Sequence, residues 1–274
     1  MKPLLEIKNL SFRYQKKMIL QDISFSVDPG EFVAVIGPNG CGKTTLIKTI
    51  LKTIHPETGT IHIENKDIQT LSNKALAKRV AVVMQTIDPA SMTVRDYVQL
   101  GRLPFFQKYQ FFETRNDVDI AKKYMRLTDV ARLADARINE ISGGERQLAS
   151  IARALTQEPA LLILDEPTSH LDITHQVRIL ELINKLKKEL SLTVLMVLHD
   201  LNLAAEYSDR LVLLNKKNGR IFKAGIPKEV LTEASIREVY HTSVRVRPNP
   251  VSNKPWIFLV NQHALDNRPD MKKD

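Results

Sequence analysis

The stretch Gly37-Pro38-Asn39-Gly40-Cys41-Gly42-Lys43-Thr44-Thr45 has the residue types and spacing to hold a chain of phosphates. Gly37, Gly40 and Gly42 permit positive φ angles and leave room for successive backbone N–H groups to converge on one anion. Lys43 can reach the β- and γ-phosphates, and Thr44 can offer its hydroxyl to Mg²⁺. Every fixed position of G-x-x-x-x-G-K-[ST] is present, so the loop predicts binding of a nucleoside triphosphate. Ser142, Gly143 and Gly144 precede a helical pattern and make a second helix N-terminus ready for an anion. Asp165 and Glu166 end an unbroken apolar run, which delivers two carboxylates to one strand end. Two further apolar runs end in single polar residues, Gln85 after 80–84 and His199 after 192–198. A polar residue at the carboxyl end of a buried strand stands where open α/β sheets place ligands, although Gln85 taken alone reads better as the start of a loop. Tyr14, two residues after Phe12, can stack on a purine ring or serve as an ordinary strand residue.

These groups need elements to position them. The β-branched and aromatic run over 32–36 suits a strand buried on both faces of a parallel sheet, and the helix formers beginning at Lys43 predict a helix over about 43–53. Ahead of it, residues 4–27 read as short strands of an antiparallel lobe closed by the turn Asp28-Pro29-Gly30. After a turn at 55–59 come a strand over 60–64, a short helix near 72–78 and a buried strand over 80–84. Residues 87–157 change character: β-runs disappear and helical patterns cover 94–100, 116–127 and 144–156. Aromatic residues cluster at 105–106 and 109–112, a partner surface if exposed and local core if folded inward. A long amphipathic helix is expected over about 173–189. The reading is an α/β domain with a helical insertion.

Bulk properties bound the rest. A chain of 274 residues can bury a large core, and no run of about 18 apolar residues occurs, which predicts no membrane span. The first residues lack the apolar segment of a secretory signal. The single cysteine, Cys41, excludes an internal disulfide and fits a reducing cytosol; as a small filler of the loop its thiol is expected to be alkylatable. Forty Lys and Arg against 31 Asp and Glu leave a net charge of +9, dispersed along the chain, which suits nucleotide phosphates, an anionic membrane surface or nucleic acid. The seven histidines show no metal-ligand spacing.

Taken in order, the phosphate loop, the strand-end glutamine, the signature SGGE at 142–145, the strand LLILDE at 161–166, the turn SHLD at 169–172 and the strand-end histidine resemble the ATPase subunits of ATP-binding cassette (ABC) transporters. The resemblance covers about 4–240. It implies an α/β fold with a P-loop NTPase (RecA-like) core over about 1–86 and 158–240, an antiparallel β lobe and an inserted α-helical subdomain over about 87–157. Residues 241–274 then form a C-terminal extension, with one extra strand over 256–260 and a flexible tail. The wording ISGGERQ, EPTSHLDITHQ and LHDLNLAAEYSDRLVLLNKKNGRIFKAG is similar to the importer branch that serves iron-siderophore, haem and cobalamin uptake. Ile141 in place of the common leucine, Glu145 in place of glutamine and Thr44 in place of serine are mild departures.

The resemblance also implies roles. Tyr14 would stack on adenine, and the residues Gly37, Pro38, Asn39, Gly40, Cys41, Gly42, Lys43, Thr44 and Thr45 would hold the phosphates of ATP. Thr44, Gln85 and Asp165 would hold Mg²⁺, with Gln85 also touching the attacking water. Glu166 would be the general base and His199 would hold the γ-phosphate. Ser142, Gly143, Gly144 and Glu145 would cover the ATP of an opposing subunit, and Asp172 would communicate between two sites. A head-to-tail homodimer at the cytoplasmic face of the cell membrane is thereby implied, working with permease subunits and indirectly with an extracytoplasmic binding protein. Soluble ABC proteins acting on DNA or the ribosome usually carry tandem cassettes or a long coiled coil; this chain has one phosphate loop, one signature and no sustained heptads, so no specific nucleic acid is expected.

Overall fold

The computed structural model describes residues 2–84 and 91–260. It begins with a hairpin of two long strands, β1 (Leu5–Tyr14) and β2 (Lys17–Val27), where the sequence suggested shorter ones. Next come β3 (Phe32–Ile36), α1 (Lys43–Ile50), β4 (Thr58–Ile63), β5 (Lys66–Asp67), α2 (Asn73–Ala77) and β6 (Val80–Val83). The helix α1 stops short of residue 53 because Lys52 takes a left-handed conformation, φ 57°, which ends the helical ladder. The helical segment holds α3 (Val94–Gln99), α4 (Arg115–Leu127) and α5 (Gly143–Leu155), close to the three expected patterns. The chain then runs through β7 (Leu161–Asp165), α6 (Ile173–Leu190), β8 (Thr193–Val197), α7 (Leu201–Tyr207), β9 (Arg210–Asn215), β10 (Arg220–Gly225), α8 (Pro227–Val230) and α9 (Glu233–Tyr240). It closes with a two-stranded hairpin, β11 (Val244–Pro248) and β12 (Pro255–Leu259); β12 is the strand expected near 256–260, and β11 is its unforeseen partner.

Six strands make the central sheet in the order β10-β9-β3-β8-β7-β6, parallel from β9 to β6, with β10 antiparallel on the edge. Its inner strands are buried on both faces, which is why they read as continuous apolar runs. Alternate residues feed two cores. Phe32, Ala34, Ile36, Leu162, Leu164, Val194 and Met196 face the helices, whereas Val33, Val35, Leu161, Ile163, Leu195 and Val197 face α1 and the antiparallel sheet β2-β1-β4-β5. Register then places the site: Val35 pairs with Val197, and Val197 with Asp165, so β3, β7 and β8 end side by side along one edge. Among the described residues, no helix is long and apolar enough to cross a membrane.

The segment from α3 to α5 is tied down by a buried ion pair. Arg102, 4% exposed, donates from Nε to Asp117 Oδ1 at 3.0 Å and from Nη1 to the Thr156 carbonyl at 2.7 Å, where α5 ends. Glu158 adds a contact at 3.2 Å, and the guanidinium stacks 3.9 Å over the Phe105 ring. Asp117 is also the third residue of α4, where its carboxylate closes a capping box with Thr114. Burial pushes its carboxyl up, but hydrogen bonds from Thr114 and Arg102 outweigh that and hold it below the usual range. Of the two readings of the aromatic cluster, exposure prevails at Tyr109, Phe111 and Phe112, while Phe105 and Phe106 are half-buried.

Candidate active site

The phosphate loop forms where β3 passes into α1. Gly42 caps that helix at φ 104°, and a β-carbon there would stand 2.7 Å from Leu20 Cδ2, so glycine alone fits without a shift. The loop leaves its amides free of side-chain caps. Lys43 is 5% exposed and its ammonium folds back over the loop, donating to the Gly37 carbonyl at 2.8 Å and to Pro38 at 3.3 Å. A buried cation whose hydrogen bonds among the described residues go to neutral carbonyls stands ready for an anion. Behind the loop, burial pushes the hydroxyl of Tyr240, the last residue of α9, to a raised pKa.

Across from the loop, β7 and β8 deliver their strand-end residues. Asp165 is 1% exposed; burial first and the neighbouring Glu166 second push its carboxyl up, opposed by the Thr44 hydroxyl, Lys43 and His199. Its Oδ1 has no hydrogen-bond partner among the described residues. A desolvated carboxylate oxygen beside a threonine hydroxyl is a hard oxygen pair of the kind that suits Mg²⁺. Glu166 adopts φ 52°, outside the strand region, and its amide donates to the Val197 carbonyl at 3.2 Å. That turn separates the two acids: Asp165 stays buried and Glu166 swings to His199, whose Nε2 meets Oε1, with Ser169 Oγ on Oε2 at 3.3 Å. A left-handed glutamate costs on the order of 1–3 kcal/mol and persists only where its surroundings hold it.

Glu166 and His199 share one cavity of about 520 Å³ with Asn39, Gly40, Gly42, Lys43, Thr44 and Thr45, and Lys17 and Ile19 close it from the antiparallel lobe. The structure thus brings together the phosphate loop, the strand-end acids and His199. Tyr14 ends β1, is 46% exposed and meets Phe12 edge-on at 4.8 Å; it does not line the cavity. Gln85 lies outside the described residues, as does the tail after 260. Cys41 departs from the expected alkylatable thiol: it is 2% exposed, and burial raises its pKa, because the loop packs it inward against Leu46 and the strand residues of the second core.

The signature residues are apart from this cavity. Ser142 caps α5 by accepting from the Glu145 amide at 3.2 Å, and Glu145 Oε2 accepts from the Ser142 amide at 3.1 Å. Hydrogen bonds from Ser142, then Arg132, hold the Glu145 carboxyl low, so this acid is committed to capping. Asp172 caps α6 by accepting from the His175 amide at 2.9 Å and takes the His175 ring as well. Sequence reasoning missed Lys17 and Ile19, which reach the cavity from another element, and Ser169 and His175, whose contacts with Glu166 and Asp172 span three residues but match no motif it used.

A family model described as "ABC transporter" matches residues 20–169. The ferric enterobactin transport ATP-binding protein FepC of Escherichia coli is 36% identical over 258 residues, covering 94% of each chain. The iron(3+)-hydroxamate import ATP-binding protein FhuC of Bacillus subtilis is 38% identical over 268 residues, covering 95% of this chain and 98% of that one. Among solved structures, an inward-facing ABC transporter of metal-chelate type superposes with a TM-score of 0.84 at 28% identity, over 96% of this chain and 100% of its own.

Proposed function

The chain belongs to the ABC transporter ATP-binding family and is an ATPase coupled to transport, and from that premise we propose that it powers import of an iron(III)-siderophore or a similar metal chelate through a membrane permease. The observation that carries the catalytic part is the alignment of three parallel strand ends, which sets Lys43, Glu166 and His199 around one cavity with Asp165 buried next to Glu166. The cargo class rests on the relatives, ATP-binding proteins of ferric enterobactin and iron-hydroxamate transport with coverage of more than nine-tenths of both chains.

In this reading the residues of Gly37 to Thr45 bind the phosphates of ATP, with the amides of the loop and the Lys43 ammonium replacing their water. Tyr14 borders the adenine. Thr44 and Asp165, with Gln85, hold Mg²⁺, which supplies charge neutralisation on the phosphate oxygens when bound. Glu166 takes a proton from the attacking water at its carboxylate, and the His199 contact aims that carboxylate and leaves the imidazole to hold the γ-phosphoryl group. Two copies meet head to tail so that Ser142, Gly143 and Gly144 of one cover the ATP of the other. Their distance from the cavity within one chain supports this reading. The pair sits on permease subunits at the cytoplasmic face of the membrane.

The test is Glu166→Gln in the full-length chain. It should bind ATP as the parent does and lose turnover by about 10²-fold or more, the usual share of a general base. Hydrolysis at the parental rate removes Glu166 from this role. For the cargo, a deletion strain should lose uptake of radioiron supplied as a hydroxamate or catecholate chelate; unchanged uptake of all such chelates refutes the iron assignment.

A further inference from the structure

The turn that carries Asp172 and the helix start that carries the signature touch through one side chain. A β-carbon on Gly144 would stand 2.1 Å from His175 Cδ2 and 2.8 Å from Nε2, so the ring occupies the space a side chain would need there. On the ring's other edge, Nδ1 lies 2.9 and 3.0 Å from the two carboxylate oxygens of Asp172. A ring nitrogen this close to both oxygens of a carboxylate is the one that carries the proton, and it donates. Around it, Gln176 Nε2 donates to the Leu171 carbonyl at 2.9 Å, which ties the turn to α6, and the Leu171 side chain lies near Gly143, its Cδ2 3.8 Å from where a β-carbon would stand. Ile173, 76% exposed, adds an apolar edge beside the carboxylate. None of this serves the cavity of the same chain, which lies elsewhere.

We infer that His175 is a positioning residue that makes the signature glycines and the Asp172 turn a single preformed surface for the second subunit. This rests on the head-to-tail reading above. Two loops that are already fixed to each other lose little freedom when the dimer closes, whereas two independent loops must each be ordered at that moment. The donor at Nδ1 also keeps the Asp172 carboxylate aimed in one direction, which a shared contact with the opposite subunit requires.

The test uses the full-length chain carrying Glu166→Gln, with Mg²⁺-ATP-driven dimerisation followed by sedimentation, ATP binding followed with a fluorescent ATP analogue, and thermal melting. His175→Phe keeps a ring beside Gly144 and removes the donor to Asp172; His175→Asn restores an N–H near the position of Nδ1. With the Phe variant the ATP concentration for half-maximal dimer should rise about tenfold, the worth of a charge-assisted hydrogen bond, while nucleotide binding and melting stay at the parental values. The Asn variant should recover most of that shift. A Phe variant that dimerises at the parental ATP concentration, or an Asn variant as weak as the Phe variant, overturns the inference while the dimer stands. A parent that stays monomeric at saturating ATP removes the head-to-tail reading and this inference with it.

Discussion

Removal of the Arg102 guanidinium is the sharpest test of how the helical segment is held. Arg102→Met keeps the stem that packs near Phe105 but leaves Asp117, 5% exposed, without its cation and leaves the Thr156 carbonyl at the end of α5 without its donor. Breaking a buried pair from one side costs about 3–5 kcal/mol, because the remaining charge stays desolvated. At roughly 2.1 cal/mol/K of unfolding entropy per residue, a chain of 274 residues should then melt about 5–9 °C lower. Arg102→Lys should recover little, since an ammonium cannot reach Asp117, Thr156 and Glu158 from one plane. Adding Asp117→Asn to Arg102→Met should cost less than the sum of the two single changes, with a coupling of about 1–3 kcal/mol. The pH dependence carries a sign. In the parent the Asp117 carboxyl is depressed, so its stabilisation is complete above the unfolded value near 4 and is lost as pH falls through the folded one. Without Arg102 that depression weakens, so parent and variant should converge on acidification. Calorimetric melting within about 1 °C of the parent at neutral pH, or a coupling near zero, would refute the argument.

Other expectations are briefer. Gly42→Ala must place a side chain at φ 104° against Leu20, with backbone strain of about 1–3 kcal/mol, and should weaken ATP binding by roughly tenfold or more as read by equilibrium titration. Cys41 should resist iodoacetamide at neutral pH in the native protein and react once urea exposes it; stoichiometric labelling of the folded chain within minutes would contradict its burial. Tyr14→Ala should raise KM for ATP about fivefold with kcat little changed, and a loss confined to kcat would move Tyr14 out of the binding role.

The parts of the site that the sequence disclosed are those whose chemistry is local. A glycine loop, the two acids after 161–164 and a serine three residues ahead of Glu145 declare themselves because backbone geometry, strand burial and helix capping each impose a short pattern. The order of the strands does not declare itself: nothing in 161–165 and 193–197 states that they pair in parallel, yet that pairing sets His199 beside Glu166. Cys41 was misread for a similar reason, since a residue between two glycines looks exposed until the loop turns it against the core. The contacts of Arg102 with Asp117 and of His175 with Gly144 join different elements and required the fold.

The separation between the signature and the nucleotide cavity has a kinetic consequence. If each chain holds two unlike halves of a catalytic unit, the isolated protein should show specific activity that climbs with its own concentration and vanishes on dilution. Two copies anchored to one permease, as proposed, would face each other at an effective concentration in the range of about millimolar, and the same chemistry would become first order. On the proposed arrangement anchorage would act as an on-switch: a chain away from its permease would consume little ATP, and hydrolysis would begin where there is a gate to move.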